Sequence, residues 1–91
     1  MITVRVLIPH ESIFGKTLRL NLTKVKVTEI ISHVSKDLDF NLKNYLCDES
    51  GRLREGRVIL VNGINIDFLD GLETEVTSGD RVVITVIASG G

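Results

Sequence analysis

The stretch VTEIISHVSKDLD, residues 27–39, separates two regions of alternating apolar residues and has a period of its own. Its apolar positions recur at helical spacing; they are Val27, Ile30, Ile31, Val34 and Leu38. Thr28 is a candidate N-cap, and Glu29 puts a carboxylate in the first turn, where the helix dipole favours negative charge. We predict a helix from about Thr28 to Asp39 whose single apolar stripe packs on one face of a sheet.

Two strands are predicted before this helix. The first eight residues alternate with a period of two, and Pro9 ends the pattern. A second alternating segment covers residues 17–22, after a polar loop that contains Gly15. The two segments predict an antiparallel β-hairpin.

Further strands are predicted after the helix. Residues 40–55 are less regular and contain one short helical turn. Residues 58–66 form a hairpin around Asn62-Gly63, a strong signal for a two-residue turn. Residues 81–87 form the last strand, because they are rich in valine and isoleucine and follow a glycine-containing turn.

The predicted order is strand, strand, helix, strand, short strand, strand, which belongs to the α+β class. A hairpin, a crossover helix and further strands form the β-grasp arrangement, a mixed sheet whose first and last strands lie parallel at its centre. The apolar character of residues 2–8 and 82–87 fits buried central strands. We expect residues 1–91 to form a single domain, with 88–91 as a flexible C-terminal tail.

The last two residues, Gly90 and Gly91, follow a strand almost directly. Glycine has no Cβ, so such a tail can enter a narrow channel in another enzyme, and its terminal carboxylate is open to attack. Ala88 and Ser89 are also small. The alternative is a frayed chain end without a function, because termini are commonly poorly ordered.

Composition excludes several classes of protein. The 11 basic and 12 acidic side chains give a net charge of −1, which argues against nucleic-acid binding by phosphate neutralisation. No apolar run approaches the roughly 20 residues of a membrane span, and the first residues do not form a signal peptide. Cys47 is the only cysteine, which favours a reducing compartment, and we expect a cytoplasmic protein.

The sequence resembles the MoaD/ThiS family of ubiquitin-like sulfur carriers over almost its whole length. The resemblance depends on Val61-Asn62-Gly63, on residues 70–74 and 78–80, and on the final Gly-Gly. It is nearest to the small subunit of molybdopterin synthase and to archaeal ubiquitin-like small modifiers. The tail of that subunit typically carries a phenylalanine and two prolines, and residues 85–91 of this chain contain neither.

The resemblance implies that Gly91 is the reactive residue, with Gly90 beside it. A partner of the ubiquitin-activating adenylyltransferase type, with its own ATP and Mg²⁺, would adenylate the Gly91 carboxylate. A sulfur donor protein would then convert the adenylate into a thiocarboxylate for cofactor biosynthesis, with molybdopterin as the first choice and a molybdopterin synthase large subunit as a further partner. The chain itself would bind no cofactor and have no active site of its own, acting as a protein co-substrate or small subunit.

Two other functions are consistent with the same residues. A lysine amine could capture the Gly91 adenylate, which would make the chain a protein modifier. The chain could also be a β-grasp binding module with an incidental tail. Removal of Gly90 and Gly91 distinguishes the binding module from the functions that use Gly91, because only the binding module would keep its function.

A partner-binding surface is predicted near the tail. If Phe68 is exposed close to Val86 and Ile87, these residues form an apolar patch with Ala88 and Ser89. Packing of Phe68 in the core is the favoured alternative.

The remaining chemical groups favour structural roles. Cys47 beside Leu46 is more typical of a small buried hydrophobe than of a persulfide carrier. The two histidines, His10 and His33, are far apart in sequence and predict no metal site. Solvated loop charge is the favoured interpretation of three nearby arginines, with an acidic or phosphate-bearing partner as the alternative; they are Arg52, Arg54 and Arg57.

Overall fold

The computed structural model describes residues 1–87, in which the alternating segments pair into sheets on one side of a helix. The elements are β1 (Ile2–Leu7), β2 (Lys16–Leu20), β3 (Lys24–Lys26), α1 (Val27–Leu38), α2 (Leu42–Leu46), β4 (Arg57–Val61), β5 (Ile64–Asn65), β6 (Glu75–Thr77) and β7 (Arg81–Val86). Two 3₁₀ turns lie between β5 and β6, at Ile66–Phe68 and Gly71–Glu73.

The first and last strands are parallel neighbours at the centre of a five-stranded sheet. β1 pairs with β7 from Thr3, which lies opposite Arg81, to Leu7, which lies opposite Thr85. β2 and β4 flank this pair in antiparallel orientation, and β5 forms the edge beside β4. The central parallel pair, the hairpin and the crossover helix confirm the predicted α+β, β-grasp architecture.

The helix α1 begins earlier than predicted, and its N-cap is Lys26 rather than Thr28. β3 pairs with β6 up to Lys26, which keeps that residue extended and starts the helix at Val27. The Glu29 carboxylate accepts the backbone N–H of Lys26 at 3.2 Å, so the acidic first turn does cap the helix. The Val27 N–H donates to the carbonyl of Thr74 at 3.0 Å, which ties the helix start to the segment before β6.

The core lies between the larger sheet and α1 and is almost entirely aliphatic. The predicted helix stripe faces it, with Val27, Ile30, Ile31 and Val34 buried and Leu38 partly buried. Alternate residues of the central strands fill the other side: Ile2, Val4, Val6, Ile59, Val61, Val82 and Ile84. Each such side chain contributes roughly 1.5–3 kcal/mol through burial, so the two central strands and the helix depend on one another.

Two turns are joined by side chains at the end of the sheet where β7 begins. Asn62 and Gly63 both have positive φ, 52° and 82°, as a type I′ hairpin turn requires. The Asn62 side chain accepts the Arg81 N–H at 3.0 Å and donates to the Asp80 carboxylate at 3.1 Å. Asp80 also accepts the Thr77 N–H at 2.8 Å. These bonds fix the register between β4 and β7.

We expect Asp80→Asn to lower the free energy of unfolding at neutral pH and to lose this effect in acid. The Thr77 N–H, followed by the Asn62 amide, lowers the pKa of Asp80. The ionised carboxylate therefore stabilises the fold above its unfolded pKa of about 3.9, and this contribution disappears as the pH falls through the lower, folded pKa. Because the site is largely solvated, we expect a loss of less than about 1 kcal/mol.

Urea unfolding measured from about pH 7 to about pH 2.5 checks this prediction. Asp67→Asn is the control, since the Asp67 carboxylate accepts no hydrogen bond within residues 1–87. An effect of Asp80→Asn that is the same at every pH would contradict the role of the ionised carboxylate.

Candidate functional site

The last strand carries the chain out of the centre of the sheet. β7 is paired on both sides, and its final residue, Val86, lies opposite Arg57 of β4. The Ile87 N–H then donates to the Gly56 carbonyl at 2.9 Å, which holds one further residue against the fold. Gly90 and Gly91, predicted to be the reactive end, lie outside the described residues, as do Ala88 and Ser89 of the predicted partner surface.

Gly56 is a specific requirement of this exit. Its φ is +81°, a conformation that side chains with a Cβ rarely adopt, and a Cβ at this position would lie 3.2 Å from the carbonyl oxygen of Ile87. Only a residue without a side chain therefore leaves the hydrogen bond from Ile87 undisturbed. The role of Gly56 could not be predicted from the sequence, because a single glycine in an irregular segment gives no indication of what it contacts.

The segment between α1 and β4 supports the same exit. α2 continues into an isolated bridge between Cys47 and Leu53, and the Arg54 N–H donates to the carbonyl of Leu46 at 2.8 Å. The Arg57 N–H donates in turn to the carbonyl of Arg54 at 3.1 Å. These contacts place the loop that contains Gly56 beside the end of β7.

Arg57 is not the solvated loop charge that sequence analysis favoured. It begins β4, and its guanidinium carbon lies 4.3 Å from the centre of the Tyr45 ring. Its Nε donates to the carbonyl oxygen of Tyr45 at 3.1 Å. Spacing alone could not reveal this contact, because it depends on how α2 folds back onto the start of β4. Arg52 and Arg54 are exposed, as expected.

Phe68 is 83% exposed, so the favoured prediction that it packs in the core is wrong. Ile66, at the start of the same 3₁₀ turn, takes the buried position. Phe68 and Ile87 are both exposed, whereas Val86 is half-buried on the core side of β7. β4 lies between β7 and the edge strand that leads to Phe68, so strand pairing does not join the three residues.

The face of the sheet opposite α1 is open, and we call the outward residues of its strands the open face. Its centre is half-buried and apolar, formed by Leu7, Val58, Leu60 and Val83. Three exposed arginines lie beside this centre: Arg5, Arg19 and Arg81. The strand register places no Asp or Glu side chain on this face. Such a surface suits a partner with an apolar contact area and carboxylates around it.

The side chain of Cys47 is buried, as predicted, and burial raises the pKa of its thiol. The nearby Lys43 opposes this effect but is the smaller influence. A thiol with a raised pKa is a weak nucleophile at neutral pH, so the structural interpretation is confirmed. His33 is exposed, and residues 1–87 contain no group of three His, Cys, Asp or Glu side chains placed to hold a metal ion.

The helices in residues 1–87 are all too short or too polar to span a membrane.

We expect Gly56→Ala to weaken the hydrogen bond between Ile87 and Gly56, because the new Cβ displaces the Ile87 carbonyl. Amide hydrogen exchange at Ile87 is then faster relative to that of the core strands. Gly51→Ala is the matched control, because Gly51 also has a positive φ, +86°, but a Cβ there meets no atom within 4 Å. Both variants lose on the order of 1 kcal/mol through backbone strain. Equal exchange at Ile87 in the two variants would exclude a specific role for Gly56.

Several known proteins are similar to this chain in sequence or in fold. Residues 12–91 match the model of the ThiS family. A candidate sulfur carrier protein of Archaeoglobus fulgidus is 38% identical over 78 residues, which covers 81% of this chain and 83% of that protein.

Two solved structures are similar over almost the entire fold. A chain of the BexX/CysO complex of Amycolatopsis orientalis has a TM-score of 0.75 and 27% identity, with 100% of both chains covered. Small archaeal modifier protein 1 of Methanosarcina acetivorans has a TM-score of 0.68 and 29% identity, with 100% of this chain and 98% of that chain covered. With its ubiquitin-like β-grasp fold and a family match that extends to residue 91, the chain belongs to the ThiS family.

Proposed function

We propose that the chain is a sulfur carrier protein whose Gly91 carboxylate is converted to a thiocarboxylate. The observation that carries this proposal is the family match over residues 12–91, which includes the Gly-Gly pair. The similarity to a candidate sulfur carrier of Archaeoglobus fulgidus supports it. The fold is suited to the task because β7, paired on both sides, anchors the tail at its base.

The proposed chemistry needs two steps. The Gly91 carboxylate attacks the α-phosphate of ATP, forming an acyl adenylate and releasing pyrophosphate. A bisulfide ion then attacks the carbonyl carbon and displaces AMP, giving the thiocarboxylate and a proton. If the donor is a cysteine persulfide, an acyl disulfide forms first, and a thiol must reduce its S–S bond. AMP leaves far more readily than oxide, which is why adenylation comes first.

The ATP chemistry is assigned to a partner enzyme of the adenylyltransferase type, with Mg²⁺. Gly15 is followed by Lys16-Thr17, but its loop holds no other glycine and leads into β2 rather than a helix, so residues 1–87 supply no phosphate-binding loop of this type. One chain of the BexX/CysO complex is structurally similar to this chain, and this neighbour is therefore found in complex with a second protein. A separate sulfur donor protein would be the second partner. The single buried cysteine is consistent with a cytoplasmic setting.

Molybdopterin is our proposed destination for the sulfur. The basis is the resemblance to the molybdopterin synthase small subunit, and a large subunit of such a synthase would then receive the tail. Protein modification is the second candidate, favoured by the similarity to small archaeal modifier protein 1 of Methanosarcina acetivorans. In that case lysine amines capture the adenylate, and proteolysis leaves Gly-Gly on the target lysines.

We expect intact-mass analysis of the chain purified from its native host to show a species in which one oxygen of Gly91 is replaced by sulfur. The same species forms in vitro with ATP, Mg²⁺, a sulfur source and the host's adenylyltransferase. Deletion of Gly90 and Gly91 abolishes both this species and ATP–pyrophosphate exchange. Asp37→Asn, at an exposed position on α1, is the control and retains them, because it leaves the Gly-Gly end intact. A chain that stays unmodified under all these conditions would disprove the carrier role.

We also propose that exposed Phe68 is an anchor for the adenylyltransferase. Because Phe68 is 83% exposed, Phe68→Ala changes the free energy of unfolding by less than about 0.5 kcal/mol. A buried aromatic anchor is worth more than about 1.4 kcal/mol in an interface, so the enzyme's Kd rises about tenfold or more. Phe14→Ala, 61% exposed on the hairpin at the opposite edge of the sheet, is the matched control. Isothermal titration that finds the same affinity for both variants would remove Phe68 from the interface.

A further inference from the structure

A groove lies between α2 and the start of β4, beside the exit of the tail. It has a volume of about 480 Å³ and is widely open to solvent. Its lining residues are Phe40, Asn41, Asn44, Tyr45, Arg54 and Arg57. Two of these six carry positive charge, none carries negative charge, and two are aromatic. We call it the Arg57 groove.

The guanidinium of Arg57 is held in a fixed position. It stacks on Tyr45 at 4.3 Å, and its Nε is occupied by the Tyr45 carbonyl at 3.1 Å. Neither Arg57 nor Arg54 forms an ion pair within residues 1–87. The terminal nitrogens of Arg57 are therefore donors whose position is already set, and such a planar fork matches the two oxygens of a carboxylate.

The acidic residues nearest the groove, Asp48 and Glu49, line a neighbouring hollow together with Arg54 but form no ion pair with it within residues 1–87. Asp48 is close enough to Arg54 for the guanidinium to contribute to its lowered pKa, but the hydroxyl of Ser50 is the larger cause. One oxygen of Asp48 accepts the Ser50 hydroxyl at 2.6 Å and the Arg52 N–H at 3.1 Å. The Asp48 carboxylate is thus hydrogen-bonded within its own turn, and Asp48 does not line the groove.

The aromatic side chains of the groove pack against one another and against His10. Phe40 contacts the ring of His10 edge to face, with centroids 4.8 Å apart, and lies 6.2 Å from the ring of Tyr45. The side chain of Asn41 caps α2 by accepting the Asn44 N–H at 3.0 Å. The walls therefore offer apolar surface and amide groups beside the two guanidinium groups, a mixture typical of surfaces that bind extended peptides.

Strand register places this groove at the base of the tail. Arg57 lies opposite Val86, and the neighbouring Gly56 accepts the N–H of Ile87. An occupant of the groove would therefore lie next to the point where residues 88–91 begin. A protein that handles the tail could use such a contact to hold the carrier in a fixed orientation.

We propose that the Arg57 groove binds an acidic peptide segment of a protein that acts on the tail, with carboxylates on Arg54 and Arg57 and an apolar side chain on Phe40. That this protein acts on the tail rests on the proposed function. The binding of an acidic segment in the groove does not rest on it. A peptide is favoured over a small anion because the groove is widely open to solvent, whereas small-molecule sites are usually enclosed.

The test is an NMR titration of the ¹⁵N-labelled chain with a capped synthetic peptide of alternating Glu and Leu. Binding in the groove shifts the Arg57 Nε–H resonance and the amides of residues 41–45 and 54–57. The same peptide with Gln in place of Glu causes no such shifts. AMP and inorganic phosphate are added separately, and equal shifts with phosphate would overturn the proposal in favour of a general anion site.

Three variants complete the test. Arg57→Gln raises the Kd of the Glu-Leu peptide about tenfold or more, because both the charge and the planar pair of guanidinium donors are lost. Arg54→Gln also raises the Kd of the peptide. Because Arg54 is exposed, this substitution is not expected to disturb the fold. Arg52→Gln is a matched control outside the groove, and its Kd for the peptide stays within about twofold of that of the unsubstituted chain. Shifts confined to the open face around Arg5, Arg19 and Arg81, or no shifts at all, would overturn the proposal.

This titration needs neither ATP nor sulfur. Its failure leaves the mass measurement of the Gly91 thiocarboxylate unaffected, and an absent thiocarboxylate leaves the peptide result standing. The two proposals can therefore fail separately.

Discussion

The parallel pairing of β1 with β7 is the constraint on which the rest of the molecule depends. Its partners are 78 residues apart in sequence, so the pairing closes almost the whole chain into one loop. Parallel neighbours cannot be joined by a tight turn, and the chain between them must cross the sheet. The helix α1 makes that crossing and buries the inward side chains of both strands. β7 then lies between β1 and β4, so the last strand is paired on both sides.

Besides the final Gly-Gly, the family resemblance depends on three short motifs, and these motifs specify the fold. Asn62 and Asp80 join two turns where β7 begins, a full strand away from Val86. Thr74, a buried residue of the motif at residues 70–74, accepts the first amide of α1 through its carbonyl and the Asp70 N–H through its hydroxyl. These residues specify register and helix position, whereas the proposed chemistry requires only the end of the chain. This division explains how a family can be recognised from turns that take no part in its reaction.

Sequence pattern predicted the elements with long periodic signals and missed those that tertiary contacts create. The stripe of α1 and the alternation of β1 were sufficient for the α+β architecture. β3 and β6 have three residues each, too short for a period, and their pairing moved the helix start from Thr28 to Val27. The exposure of Phe68 depended on Ile66 taking the core position, and the role of Gly56 depended on Ile87 passing beside it. Each miss concerned which residue contacts which, a question that spacing along the chain does not answer.

A net charge of −1 conceals an uneven distribution of charge. Arg5, Arg19 and Arg81 lie on the open face, Arg54 and Arg57 line the groove, and the acidic side chains are absent from both surfaces. Lys24 and Lys26, by contrast, are paired with Glu75 and Glu73 on the smaller sheet and the turn beside it. Surface charge of one sign steers an approaching partner and fixes its orientation more than it adds affinity. The fold therefore offers two cationic surfaces, one on the open face and one beside the end of β7, and both suit a partner that carries carboxylates.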